Sequence, residues 1–368
     1  MFKFLSKHIY DIEPPAFGLD ISDFVLKIAF LKPEKDKFTL TSFIETPIPE
    51  GIVEGGEIKK PEELLKIFIN GLKNIKGDKI NTKFVAATIP ERKSFLRIIQ
   101  LPKMSGEEIV GAIKFEVEAN IPLSLNEAYY DWQVLGESSN KIDHQDILVA
   151  VVPKFIIEPY NNLIKDAGLI PKIFELESIA ASRSVIDGLK TERPVLIINL
   201  GATQISFVIF SGEAPRFSAS INTPFRNHFT HYIHQHLQIS MEDAEKIKRT
   251  VGLDNAKYEG KVFEALEPAI KILIGQIQDY VDYYGSHASH EHTGPPKISK
   301  IILCGGDANL IGITSYLSGL LKIPVELGNP WTNILPAPLK EIPLMPYEKS
   351  LAFTSCLGIA LRGATKKQ

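Results

Sequence analysis

The chain has 368 residues, 44% hydrophobic and 23% charged, which gives apolar content for a sizeable core and length for more than one domain. Its 41 basic and 44 acidic residues leave a formal net charge of −3, so no global field draws in nucleic acid or an anionic membrane, and any partner has to be met by a local surface. Cys304 and Cys356 stand far apart without CxxC spacing or a nearby histidine, which argues against a disulfide framework, a thiolate metal site or a redox pair and fits a reducing compartment.

No apolar run reaches the ~18–20 residues that cross a bilayer, and MFKFLSKHIYDIEPP lacks the uninterrupted apolar core of a signal peptide, so a cytoplasmic location is expected. Phe2, Phe4, Leu5 and Ile9 beside Lys3, Lys7 and His8 read two ways: as a short amphipathic helix that touches a membrane, or, by default, as a terminus that is mobile or rests on its own domain.

Phe17 to Phe30 and Lys37 to Thr46 are rich in apolar and β-branched residues and predict adjacent strands around a turn near Pro33 to Asp36. Lys60 to Lys73 opens with Pro61 and Glu62 and spaces Leu64, Leu65, Phe68, Ile69 and Leu72 along one helical face. Strands follow at Lys83 to Ile89 and Ser94 to Gln100, then a helix from Ser105 to Ala119 with Ser105 and Glu108 as a capping box. Strands at Tyr129 to Leu135 and Asp146 to Val152 flank the turn-rich GESSNKIDHQ; a helix from Pro153 to Ala167 and a strand from Pro171 to Leu176 close the block. This β-β-α-β-β-α order predicts an inserted subdomain with one sheet and covering helices.

RPVLIINLGATQISFVIF, Arg193 to Phe210, then repeats the opening theme, with two apolar strands around Gly201 as Phe17 to Phe30 has around Ser22. Two related α/β halves are expected. Helices at Arg226 to Leu237 and Ser240 to Thr250 lead to a long amphipathic helix from Lys261 to Tyr284, and GSHASHEHTGPP reads as a loop before a strand at Lys300 to Cys304. His287, His290 and His292 in that loop have no fixed geometry, and no metal ligands are assigned. Tyr129, Tyr130 and Trp132 alternate as on a half-buried strand, with core packing as the default. No GxSxG, HExxH or nucleophile-base constellation occurs.

Seven segments in order carry a resemblance over about Gly18 to Gly363: GLDISDFVLK, LPKMSGEEIVGAIKFEVEANIPLSLNEAYYDWQVLG, FELESIAASR, VLIINLGATQISFVI, MEDAEKIKR, ILCGGDANLIG and SCLGIALRG. The chain resembles the bacterial PilM family of actin-like, FtsA-related ATPases. The resemblance implies an α/β actin-like fold of two related halves with inserted subdomains. Subdomain 1A would comprise 17–84, 172–192 and about 350–368, and 1C would be 85–171. Subdomain 2A would take 193–222 and about 298–349, and 2B 223–297. Ser22, Gly201, Gly305 and Gly306 are expected to line one cleft between them.

Within that resemblance, Asp20, Ser22 and Lys27 belong to a first phosphate hairpin, and Asn199, Gly201 and Thr203 to a second. Glu245 and Lys248 would flank adenine and ribose, with Gly305, Gly306 and Asn309 in the adenosine loop. By their own chemistry Gly305 and Gly306 permit close backbone approach to a ring, though a plain strand-to-helix turn would read the same. Glu177 matches a water-positioning carboxylate, and equally reads as a helix N-terminal charge. Several residues depart from the family pattern: Ser22 stands where relatives carry Gly, Asp23 and Phe24 stand where they carry small Ser or Gly residues so that the Asp23 carboxylate would face phosphate, Asn199 replaces an Asp that helps hold hydrated Mg²⁺, and Phe225 and Arg226 replace a glycine pair. ATP and Mg²⁺ are therefore expected only with a degenerate phosphate side and weak or absent hydrolysis.

The implied role is a scaffold of the type IV pilus platform, peripheral at the inner face of the cytoplasmic membrane. Its implied partners are the N-terminal cytoplasmic peptide of a PilN-type membrane protein, bound between 1A and 1C, and other platform proteins. The alternatives are an active actin-like ATPase or small-molecule kinase, for which no sugar-pocket Asp base is evident, and an FtsA-like division protein, which usually carries a C-terminal amphipathic anchor where this sequence stops at ATKKQ.

Overall fold

A computed structural model describes residues 14–34, 37–120, 124–135, 144–223, 228–287, 297–336, 338–339 and 342–365. The opening segment runs β1 (Phe17–Ile21), β2 (Val25–Pro33), β3 (Phe38–Pro47), β4 (Val53–Glu54), β5 (Glu57–Ile58), α1 (Pro61–Lys73), β6 (Lys76–Gly77) and β7 (Phe84–Ile89). It continues through β8 (Phe95–Pro102), α2 (Gly106–Asn120), β9 (Ala128–Val134), β10 (His144–Pro153), α3 (Lys154–Asp166), β11 (Ile170–Leu176) and α4 (Glu177–Val185). The second half contains β12 (Thr191–Leu200), β13 (Gln204–Gly212), β14 (Ala214–Asn222), α5 (His228–Leu237), α6 (Met241–Thr250), α7 (Lys261–His287) and β15 (Lys300–Cys304). The last elements are α8 (Ile313–Leu321), β16 (Val325–Leu327), α9 (Tyr347–Ala352) and α10 (Thr354–Ala364).

The two halves repeat one sheet design. The first sheet is ordered β11-β7-β1-β2-β3-β6 and the second β14-β13-β12-β15-β16. In each, three antiparallel strands continue into two parallel ones, with the two-residue β6 added antiparallel beside β3 in the first: β1 pairs antiparallel with β2 and parallel with β7, as β12 does with β13 and β15. The parallel strands read as continuous apolar runs, Val85–Ala87 and Ile301–Cys304, because both faces are covered. Burial on each face follows from helices: Leu64 and Phe68 of α1 and Ile156, Tyr160 and Leu163 of α3 pack on the first sheet, while Leu266, Ile270, Leu273 and Ile277 of α7 fill the second core. On the other face α10 seats Cys356, Leu357, Ala360 and Leu361 against Ala29 and Leu31.

A third sheet, β8-β10-β9, stands apart from the other two. The period of two along β10 sends Ile147, Val149 and Val151 to α2 and Leu148 and Val152 toward α3. The strands at the two edges of the expected insert, β7 and β11, are hydrogen-bonded to each other and, through β1, into the first sheet rather than into this one. Alternation in sequence identifies a strand, not the sheet it joins.

The run Phe17 to Phe30 is two strands around Ser22, as the sequence pattern implies, and the Ser22 amide donates to Val25 O (2.9 Å) and closes a tight hairpin. Two local differences have simple causes. The long helix continues through Gly285–His287, which had read as loop, because α-helical hydrogen bonding carries one turn past the last apolar contact at Tyr284. Strand β14 was not anticipated; Ser218 and Ser220 interrupt its apolar pattern, and pairing with β13 holds it. The terminal segment up to residue 13, Phe225, Arg226, His290 and His292 lie outside the described residues. Among the described residues no helix is long and apolar enough to cross a membrane.

Candidate functional site

The two halves face each other across a cleft of about 730 Å³, and all twelve residues named above for the hairpins, the connecting helix and the adenosine loop line it. The β1–β2 turn contributes Asp20, Ser22 and Lys27, the β12–β13 turn Asn199, Gly201 and Thr203, α4 its first residue Glu177, α6 Glu245 and Lys248, and the turn after β15 Gly305, Gly306 and Asn309.

On the hairpin side most polar groups are committed to one another. Asp20 is buried and accepts from Thr88 Oγ1 (2.6 Å). Lys27 Nζ donates to the carbonyl of Ala352 (2.6 Å) and stands 3.9 Å from Asp20. The carboxylate of Asp23, expected to confront phosphate, is held by two amides, Gly55 N (3.0 Å) and Gly56 N (2.9 Å). Glu177 Oε1 accepts from Asn199 Nδ2 (3.0 Å), with Ser355 Oγ at 3.5 Å. Desolvation, with the charges of Asp20 and Glu91 added, pushes the Glu177 carboxyl up to about 8, and Lys27 and Ser355 only partly offset this. The shift favours the protonated carboxyl, which is a poor acceptor for a proton from water.

The opposite wall is an ion-pair network. Lys248, 3% exposed, donates to Asp307 Oδ1 (2.7 Å) and pairs with Glu245 Oε2 (2.8 Å); Glu245 also accepts from Thr230 (2.6 Å) and Arg249 (2.7 Å). Burial opposes the charge on Glu245, but hydrogen bonds from Lys248 and Thr230, reinforced by Arg249, outweigh it and hold the carboxyl below its ordinary range. Burial raises Asp307 despite Lys248. Asp307 and Thr230 escaped the sequence reading. Asp307 stands directly behind the glycine pair, and that adjacency was the one available signal; its partner Lys248 is 59 residues away.

The two glycines differ in what they do. Gly305 has φ +90°, and a Cβ there would strike Leu200 O and stand 2.6 Å from Asn199 Oδ1, so its smallness serves the crossing of two strand ends. A Cβ on Gly306 would meet only Ala352 at 3.8 Å, which leaves Gly306 as the glycine open to a ligand.

A second concavity, about 910 Å³, lies between the third sheet and the first half. Its walls are β9 and β10 (Tyr129, Asp131, Leu148, Ala150, Val152), α3 (Ile157, Glu158, Asn161), β11 and α4 (Phe174, Ile179, Arg183) and the start of β14. Tyr129 is 47% exposed on this groove, and Tyr130 and Trp132, which also line it, pack against the α2 core. Strand β9 is one of the two edges of its sheet among the described residues.

The chain is similar to solved structures of this architecture. A chain of a PilM–PilN type IV pilus biogenesis complex matches at TM-score 0.78 with 23% identity, over 96% of this chain and 99% of that one. The ethanolamine utilization protein EutJ from Carboxydothermus hydrogenoformans matches at TM-score 0.54 with 13% identity, over 95% of this chain and 89% of that one. MreB5 of Spiroplasma citri bound to AMPPNP matches at TM-score 0.52 with 13% identity, over 95% and 96%. The fold is thus the actin-like one that the motif order implies. The sequence model of the type IV pilus assembly protein PilM family spans residues 18–364, and with that match the chain belongs to the PilM family.

Proposed function

We propose that this protein is a cytoplasmic scaffold at the inner face of the membrane, whose groove between 1A and 1C holds the N-terminal peptide of a PilN-type membrane protein of the pilus platform. The observation that carries this reading is an open groove of about 910 Å³ walled by the free edge of β9. A free edge offers unpaired amides and carbonyls to an extended peptide, and Leu148, Ala150, Val152 and Phe174 offer apolar surface for its alternate side chains. In this reading 1C comprises β8, α2, β9 and β10, and the cleft between the halves takes an adenine nucleotide, with Gly306 and Asn309 at the base and ribose and the two hairpin turns at the phosphates. Mg²⁺, when bound, would screen phosphate charge beside Asp20 and Asn199. Hydrolysis is weak or absent, because burial favours the protonated Glu177 carboxyl and Lys27 is tied to Ala352.

The test is calorimetry with the cytoplasmic peptide of the PilN-type partner beside a scrambled control. The native peptide should bind, the scrambled one should not, and Ala150→Arg, which places a charged stem in the groove, should weaken binding at least about tenfold. Equal binding of both peptides, or of neither, removes the scaffold assignment. Sustained ATP turnover above about 1 s⁻¹ removes the inactive-cleft half.

A further inference from the structure

We propose that Asp23 is a positioning residue that ties the first hairpin turn of the cleft to α3 and the peptide groove, so that an anionic ligand against that turn weakens peptide binding. This rests on the reading of cleft and groove given above. The connection is a short chain of hydrogen bonds. Both oxygens of Asp23 are held by the amides of Gly55 and Gly56, at 3.0 and 2.9 Å. Those glycines, at φ +57° and +79°, form the two-residue turn between β4 and β5, which residues with a side chain rarely adopt. The carbonyl of Gly56 accepts from Tyr160 Oη at 2.9 Å, and Tyr160 is 1% exposed inside α3. Within a turn of Tyr160 on the same helix, Ile157, Glu158 and Asn161 line the groove.

The glycine turn also touches the entry to the third sheet. A Cβ on Gly55 would strike the guanidinium of Arg92, and one on Gly56 the ring of Pro90, so the turn is clamped against the segment that leads into β8. Phosphate charge brought to the turn raises the cost of the Asp23 carboxylate, loosens its two charge-assisted bonds and frees the Gly56 carbonyl that anchors Tyr160.

Hydrogen exchange on the full chain tests the link without any ligand, using the near-isosteric Asp23→Asn and Tyr160→Phe. Loss of about one hydrogen bond should speed exchange roughly fivefold at the far end of the chain of bonds: across 154–166 in Asp23→Asn, and across 22–26 in Tyr160→Phe. Acceleration confined to 53–58 in both variants overturns the proposal. With ligands, Mg–AMPPNP should weaken peptide binding to the wild type by about fivefold or more and leave Tyr160→Phe nearly unchanged. Nucleotide-independent peptide affinity in a wild type that binds both ligands also overturns it. Failure of either ligand to bind the wild type counts against the cleft-and-groove reading, and the exchange result alone then decides the link.

Discussion

Glu177 opens α4 at the floor of the cleft with its oxygen on Asn199, and burial beside Asp20 and Glu91 lifts its carboxyl from an ordinary 4.5 to about 8. A carboxyl with a raised folded-state value holds its proton more tightly folded than unfolded. Its contribution is therefore intact below about pH 4.5 and is lost as pH rises toward 8, where the folded protein carries a buried charge that the unfolded chain solvates. Glu177→Gln keeps an oxygen for Asn199 and removes the charge. It should raise the melting temperature at pH 8 by a few degrees, corresponding to roughly 1–3 kcal/mol, and change it little at pH 5. An equal gain at pH 5 and at pH 8 would mean that the carboxyl is ionised throughout. The sequence marked Glu177 through family resemblance, and the local text also fitted a plain helix-start charge. What decides its protonation, the neighbours Asp20 and Glu91, lies 157 and 86 positions away by numbering and cannot be read locally.

Among the elements, α10 is held by close backbone approach rather than by large side chains. SCLGIALRG was legible as a family ending, but its apolar spacing gave no partner. The structure supplies two: a Cβ on Gly358 would run into Ala180 O of α4, and one on Gly18 of β1 would stand 2.7 Å from Cys356 O. An alanine at 358 gains helix propensity of about 1 kcal/mol, but no rotamer change relieves a clash with backbone. Gly358→Ala should thus destabilise by roughly 3 kcal/mol in urea unfolding. A neutral or stabilising outcome would show that α4 and α10 can separate without loss. Local periodicity found α1 and α7 because each exposes one face and buries the other; α10 is buried nearly all round and gives no such contrast.

At the scale of the molecule, the repeat of hairpin and parallel strand was visible in sequence because both copies are buried and apolar, whereas the docking of the third sheet was not, since it depends on contacts between distant segments: apolar ones from Leu96, Leu148 and Val152 to the first core and a polar pair to the second half. Arg216 of β14 meets Asp146 of β10 at 3.1 Å with side chains 6% and 12% exposed, and it also donates to Ser211 O (3.1 Å). Asp146 takes a further bond from Gln100 Nε2 (3.3 Å). This pair ties the second half to the sheet that walls the groove. Separating the partners leaves one buried charge without its counterion, which costs more than losing both. Arg216→Met should lower stability by about 3–5 kcal/mol, and adding Asp146→Leu should recover a large part of that loss even though a second native residue is gone. Additive losses in the double variant would mean that water reaches the pair, and that the third sheet is held to the second half by its apolar contacts alone.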